Sequence, residues 1–279
     1  QLATHTSGLP RLHMSVGQLL RGAIRSDNPY RGLGSRSVFR NAAAARIGNP
    51  NEFRYSNLGY ALLGQLLLWN AGYLPPSPED FESEVNEVVF GRLEVQGFGT
   101  GTPTSMPTPF RANGRRTSLW DFDGYTPAGG LVASPNALMA LARRLVDLPV
   151  SLQAAAVPQF NIRPGQSMGY GWFIETLENG DTMLWHNGGT GGFRTFIASV
   201  LNRGFSLVVA TNSAISVDDL ARAIISPEAR PPEPPTPSVF GWIAGVGSLL
   251  FSISFASGPL ARSLLARMGR CKSVPDALH

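Results

Sequence analysis

Cysteine is almost absent: Cys271 is the one thiol in 279 residues. That excludes an intrachain disulfide and any cysteine-based zinc site. Lysine is as scarce, with Lys272 alone among 23 basic residues. Gly269 stands three positions before it, so these residues hold no Ser-x-x-Lys nucleophile pair. They hold no Gly-x-x-x-x-Gly-Lys phosphate loop either. The histidines are His5, His13, His186 and His279, and none has a partner at metal-ligand spacing. No cofactor and no metal is implied. Charge is thin at 15%, against about 25% in an average soluble domain. The 43% hydrophobic content still excludes a disordered chain and a polytopic membrane protein. Position 1 is Gln1, and no basic, apolar leader follows, so the expectation is a removed leader or an N-terminally truncated product.

What charge there is lies unevenly. Residues 1–54 carry eight arginines against Asp27 and Glu52, whereas residues 55–226 carry ten arginines against fourteen acids. The N-terminal arginines are scattered, without interleaved aromatic residues or a recognition-helix pattern, so no nucleic-acid partner is expected. This first stretch reads as loop, with one short helical pattern around Val16–Ile24. "LGYALLGQLLLW", Leu58–Trp69, is too short to span a bilayer and predicts a buried helix. "SPEDFESEVNEVVFGRL" predicts a helix capped by Ser77 with Pro78 at its first position. "SPNALMALARRLVDL" repeats the pattern with Ser134 and Pro135.

The texture then turns to strands. "GYGWFIETL" and "TMLWH" flank Asn179-Gly180, a tight-hairpin signal. "FRTFIASVL" and "FSLVVAT" flank Asn202-Arg203-Gly204, a second hairpin, and a helix over Val217–Ile225 follows. The expectation ends the second strand at His186. Residues 227–238 form a stiff Pro-rich linker. Residues 239–261 lie in an uncharged window running from Pro234 to Ala261, and the tail at 262–279 begins with Arg262, Arg267, Arg270 and Lys272. Those features predict a transmembrane helix over 239–261, a cytoplasmic basic tail and an extracytoplasmic domain.

Three features carry candidate chemistry. Gly165-Gln166-Ser167-Met168-Gly169 matches the Gly-x-Ser-x-Gly elbow, but a strand follows it where a helix is needed, so it reads as a turn before a strand. "FRYSNLGYALLG" puts Tyr55 and Asn57 at the entrance of the buried helix. Taken alone, these read as a packing aromatic and a helix cap. "LWHNGGTGGFRTF" puts His186 beside Gly188, Gly189, Gly191 and Gly192 within strand-like sequence. Glycine weakens a strand, so these positions imply a close approach to the backbone.

"QLATHTSGLP", "FRYSNLGYALLG", "YTPAGGLVASPNALMALARRL" and "YGWF…LWHNGGTGGFRTF…LVVATNSA" occur in that order. The series resembles the class C β-lactamase-like serine hydrolases of the penicillin-recognising superfamily, with D-Ala-D-Ala carboxypeptidases and esterases, over residues 1 to about 226. The resemblance implies an α+β fold: an antiparallel sheet flanked by helices (126–226) plus a mainly helical part (1–125), with the N-terminal strands missing and an apolar C-terminal helix added. It implies acyl transfer by a serine hydrolase on an amide, lactam or ester, with β-lactams or D-amino peptides of the cell wall as substrates. By this resemblance Tyr55 is the general acid/base. Asn57 orients the substrate, His186 and Gly188 line the opposite wall, and Gly189 offers its N–H to the oxyanion. His186 would lend Tyr55 a part-time positive charge. The family's Ser-x-x-Lys precedes the "HTSG" segment, at which this chain begins, so the chain is expected to be inactive as given. The rival reading is a non-catalytic binding or sensor domain that keeps the cleft.

Overall fold

The computed structural model describes residues 1–13, 28–101, 103 and 105–226. The helical pattern around Val16–Ile24, the linker at 227–238, the expected apolar C-terminal helix at 239–261 and the tail at 262–279 lie outside the described residues. Contacts divide the chain into one unit from Gln1 to Pro231 and another from Pro232 to His279. All the described elements belong to the first unit. Among the described residues no helix is long and apolar enough to cross a membrane.

The N-terminal part is helical. α1 (Ser35–Ala44) falls in a stretch that the sequence presents as loop; its buried Val38 and Asn41, three apart, share one face. α2 (Asn57–Asn70) is the expected buried helix. Ser56, not Asn57, caps it: the Ser56 Oγ accepts the Gly59 N–H at 2.8 Å and donates to the Pro10 carbonyl at 2.7 Å. α3 (Pro78–Val85) opens on a full capping box. The Asp80 N–H donates to Ser77 Oγ at 3.1 Å, and the Ser77 N–H donates to the Asp80 carboxylate at 2.8 Å. The helix runs on through a π turn at Asn86–Phe90 into Gly91–Leu93.

A 3-10 turn over Asp123–Ala128 packs directly on α2. Gly64 makes this possible, because a Cβ there would lie 2.2 Å from the Pro127 Cβ. Tyr125 from this turn is fully buried among Leu33, Val38, Leu58 and Ala61. Its hydroxyl accepts from Asn41 Nδ2 at 3.3 Å.

β1 (Phe98–Gly99) pairs with β2 (Val132–Ala133) in a small sheet. α4 (Pro135–Arg144) follows, capped as expected by Ser134. The main sheet holds β3 (Phe160–Arg163), β4 (Gln166–Met168), β5 (Phe173–Thr176), β6 (Thr182–Gly189), β7 (Arg194–Val200) and β8 (Phe205–Thr211). All pair antiparallel with their sequence neighbours, in that order. Ser167 lies inside β4 and its Oγ donates to Asn161 Oδ1 at 2.9 Å. The Gly-x-Ser-x-Gly match is therefore part of a hairpin. Sequence reasoning misses β3, because Pro164-Gly165 looks like an isolated turn.

Strand alternation sorts the core. Met183, Trp185, Phe196, Ala198 and Val200 form one cluster with Val217, Ala221 and Ile225, the last two on α5 (Asp218–Ile225). Leu184 and Ile174 face the other way and meet Leu145, just after α4. There the Ser199 Oγ donates to the Ala142 carbonyl at 2.5 Å. Helices thus flank both faces of an antiparallel sheet. β6 outruns β5: Trp185 still pairs with Phe173, but among the described residues His186 to Gly189 pair only with β7. The strand does not end at His186, as expected, but continues through the glycines with an open edge.

Candidate functional site

Tyr55 sits on an extended segment that His5 grips on both sides. The Arg54 N–H donates to the His5 carbonyl at 2.7 Å, and the Ser56 N–H donates to His5 Nδ1 at 3.0 Å. His5 adopts a left-handed backbone (φ 57°) and is only 2% exposed. Its ring lies 4.2 Å from Tyr55 and 4.7 Å from Tyr60, centroid to centroid. Because Nδ1 accepts, the proton of the neutral ring is on Nε2. Burial, and secondarily the nearby His186, push the His5 pKa down to about 4.

The Tyr55 ring lies 6.3 Å from the His186 ring, so the helix entrance and the open strand edge meet. Phe173, on β5, stands 5.7 Å from His186. His186 Nδ1 is 2.6 Å from the Asn187 carbonyl. A carbonyl only accepts, so Nδ1 carries the proton and Nε2 presents a lone pair. Burial holds His186 below its ordinary pKa, although the Asn187 bond works against it. That direction weakens the part-time positive charge expected of His186. The cation beside Tyr55 is Arg11, whose guanidinium carbon lies 5.6 Å from the ring centroid. Burial pushes the Tyr55 phenol above its ordinary value; Arg11 pulls it down and Tyr30 pushes it up. The phenol is protonated at neutral pH.

Asn57, in the first turn of α2, donates from Nδ2 to the Tyr30 hydroxyl at 2.7 Å. That fixes the amide plane and leaves Oδ1 as the acceptor facing outward from this bond. Asn57 and Gly189 line one cavity of about 460 Å³, together with Arg11, Tyr30, Arg54 and Trp120.

The glycines are explained in part by the chain itself. A Cβ at Gly188 would lie 2.4 Å from Thr195 Oγ1. One at Gly191 would lie 2.8 Å from Trp120 Nε1, and one at Gly192 would lie 2.5 Å from the Pro109 Cβ. These three clear room for neighbouring strands and loops, not for a ligand. Only Gly189 meets nothing closer than the flexible Arg194 guanidinium, at 3.2 Å.

The structure thus brings the Tyr55 and His186 rings to 6.3 Å of each other and puts Asn57 and Gly189 on the wall of one cavity, while Gly188 lies between His186 and Gly189 on β6. Sequence reasoning misses His5, Arg11, Tyr30 and Trp120. His5 stands in the "HTSG" stretch, but metal-ligand spacing is the only site signal a lone histidine offers there. Among the described residues, no group of His, Cys, Asp and Glu could hold a metal ion.

A scan of family models matches residues 1–226 to the model described as Beta-lactamase. A search of curated proteins finds no match. Solved structures share the fold at low identity. The octameric penicillin-binding protein homologue from Pyrococcus abyssi is 20% identical with a TM-score of 0.64, over 81% of this chain and 54% of that one. A D-stereospecific amidohydrolase from a Streptomyces species is 19% identical with a TM-score of 0.58, over 77% and 67%. A class C β-lactamase from Rhodobacter sphaeroides is 16% identical with a TM-score of 0.62, over 80% and 69%. The chain thus spans about half to two thirds of the length of these relatives.

Proposed function

Because the chain belongs to the Beta-lactamase family, we propose that its cleft is part of a serine-type acyl-transfer site for an amide, lactam or ester. The observation that carries this reading is the approach of Tyr55 to His186, 6.3 Å between rings, at the open edge of β6. Substrate lies along that edge as an added strand, and backbone groups of 186–189 hold it. The Gly189 N–H faces the developing oxyanion, a contact worth about 3 kcal/mol in a transition state. The Tyr55 phenol, kept protonated by burial, is ready to donate to a leaving nitrogen or oxygen. It acts as a base only where further positive charge lowers its pKa. Asn57 orients the acyl amide through Oδ1. D-amino peptides of the cell wall and β-lactams fit this arrangement, since they present such an amide or lactam to an extended strand.

These 279 residues contain no Ser-x-x-Lys, so on this reading the nucleophile lies outside them. The same fact favours a second reading, a binding or sensor domain that uses the cleft without turnover. Fluorescent penicillin followed by intact-mass analysis tests this: the 279-residue chain is expected to show no adduct. A stoichiometric adduct on it overturns the assignment. In any form of the protein that turns over substrate, Tyr55→Phe is expected to lower kcat by about 100-fold or more with KM little changed. Equal kcat removes Tyr55 from its role.

The uncharged window Pro234–Ala261 and the basic residues after it support tethering to a membrane with the domain outside. Impermeant thiol labelling of Cys271 in intact cells tests that topology. Labelling from outside refutes it.

A further inference from the structure

The cavity beside Asn57 carries a charge that the acyl-transfer reading does not use. Arg11 and Arg54 line it, and among the described residues no carboxylate does. The ion pairs among the described residues join Arg144 to Glu94, Arg203 to Asp181 and Arg222 to Glu175, all elsewhere. Among those residues, neither cavity arginine has such a partner. Both stand on clamped backbone. The Arg11 carbonyl accepts the Leu58 N–H at 3.2 Å, at the start of α2, and its guanidinium rests over Tyr55. The Arg54 N–H is held by the His5 carbonyl at 2.7 Å. The remaining walls include Pro10, Leu12, Pro29 and Trp120, which are apolar surfaces.

We propose that this cavity takes an acyl group with a short apolar stem ending in a carboxylate, and that Arg11 and Arg54 are its specificity-determining residues. The stem runs past the proline and leucine walls, and the planar guanidinium forks meet the terminal carboxylate. The acyl amide lies at the Asn57 and Gly189 end. That orientation rests on the acyl-transfer reading. The charge preference does not, because binding needs no nucleophile.

The test uses a pair of probes that differ by one charge, 4-acetamidobutyrate and 4-acetamidobutyramide. Each is titrated into the ¹⁵N-labelled 279-residue chain, and the Trp120 indole N–H signal, assigned with Trp120→Phe, is followed. The acid is expected to bind about tenfold more tightly than the amide, the lower end for a hydrogen bond to a charged group. The preference is expected to shrink in Arg11→Gln and in Arg54→Gln, and to vanish in the double variant. The thermal midpoint of each variant is compared with the parent to confirm folding. Equal binding of the two probes, binding of neither, or a preference that survives the double variant overturns the proposal. Displacement of the acid by equimolar inorganic phosphate also overturns it, reducing the site to a general anion contact. If penicillin and Tyr55→Phe experiments refute acyl transfer, this readout is unaffected.

Discussion

Burial holds the His5 pKa at about 4, whereas the same ring in an unfolded chain titrates near 6.5. Above pH 6.5 neither state is charged and stability is complete. Between 6.5 and 4 the unfolded chain binds a proton that the folded chain refuses, so stability falls as pH falls. Below 4 no further loss comes from this group. The gap is worth up to about 3 kcal/mol, and His186 adds a loss of the same sign. Urea unfolding at pH 7 and pH 4.5 should therefore show a clear drop in midpoint. His5→Asn keeps an acceptor for the Ser56 N–H but cannot titrate, and the drop should be smaller. An unchanged pH dependence would take His5 out of this account. Tyr55, Asn57 and His186 stood out only through the family resemblance, which short contiguous motifs can carry; taken alone they read as a packing aromatic, a helix cap and a loop histidine. His5 did not, because its role depends on a left-handed turn that swings its ring beneath a segment about fifty residues away, a contact with no local signature.

At the scale of elements, Ser-Pro caps made α3 and α4 readable, an apolar run made α2 readable, and Asn179-Gly180 and Asn202-Arg203-Gly204 made two hairpins readable. α1 lacked any such signal. Gly34 precedes it without a side-chain cap, and arginines and alanines blur its apolar period. The strand through the glycines was also obscured, because glycine has little strand propensity of its own and Gly188 and Gly189 are held by pairing with Thr195 and Arg194 across a short turn. Contact between elements gives two predictions. Gly64→Ala should gain about 1 kcal/mol of helix propensity and lose more to the clash with Pro127, typically 1–3 kcal/mol and here at the upper end. A net destabilisation in thermal unfolding is expected; a stabilised variant would mean that α2 and the 3-10 turn separate freely. Ser56→Ala removes the cap of α2 and the bond to Pro10 together, and should cost about 1–2 kcal/mol.

Over the whole molecule, the run of antiparallel strands followed from the hairpins, whereas helices flanking the sheet were an expectation of the family resemblance. Helix-on-sheet packing is set by alternation, which β6 and β7 display plainly. How the helical part meets the sheet was legible only through the family resemblance, since a chain shows no pairing between distant segments. That meeting creates the cleft, and the arginine content of the N-terminal stretch gives the cleft its sign.

β8 is the last strand of the sheet, with β7 as its one ladder partner among the described residues. Its seven residues, Phe205–Thr211, include neither proline nor a charged side chain. Nothing in that row discourages a foreign strand from docking there. The purified chain should therefore grow in sedimentation coefficient as it is concentrated, and Ala210→Lys, at an exposed site on the same strand, should keep it monodisperse. Storage and assay of the isolated chain are thus governed by dilution as much as by temperature.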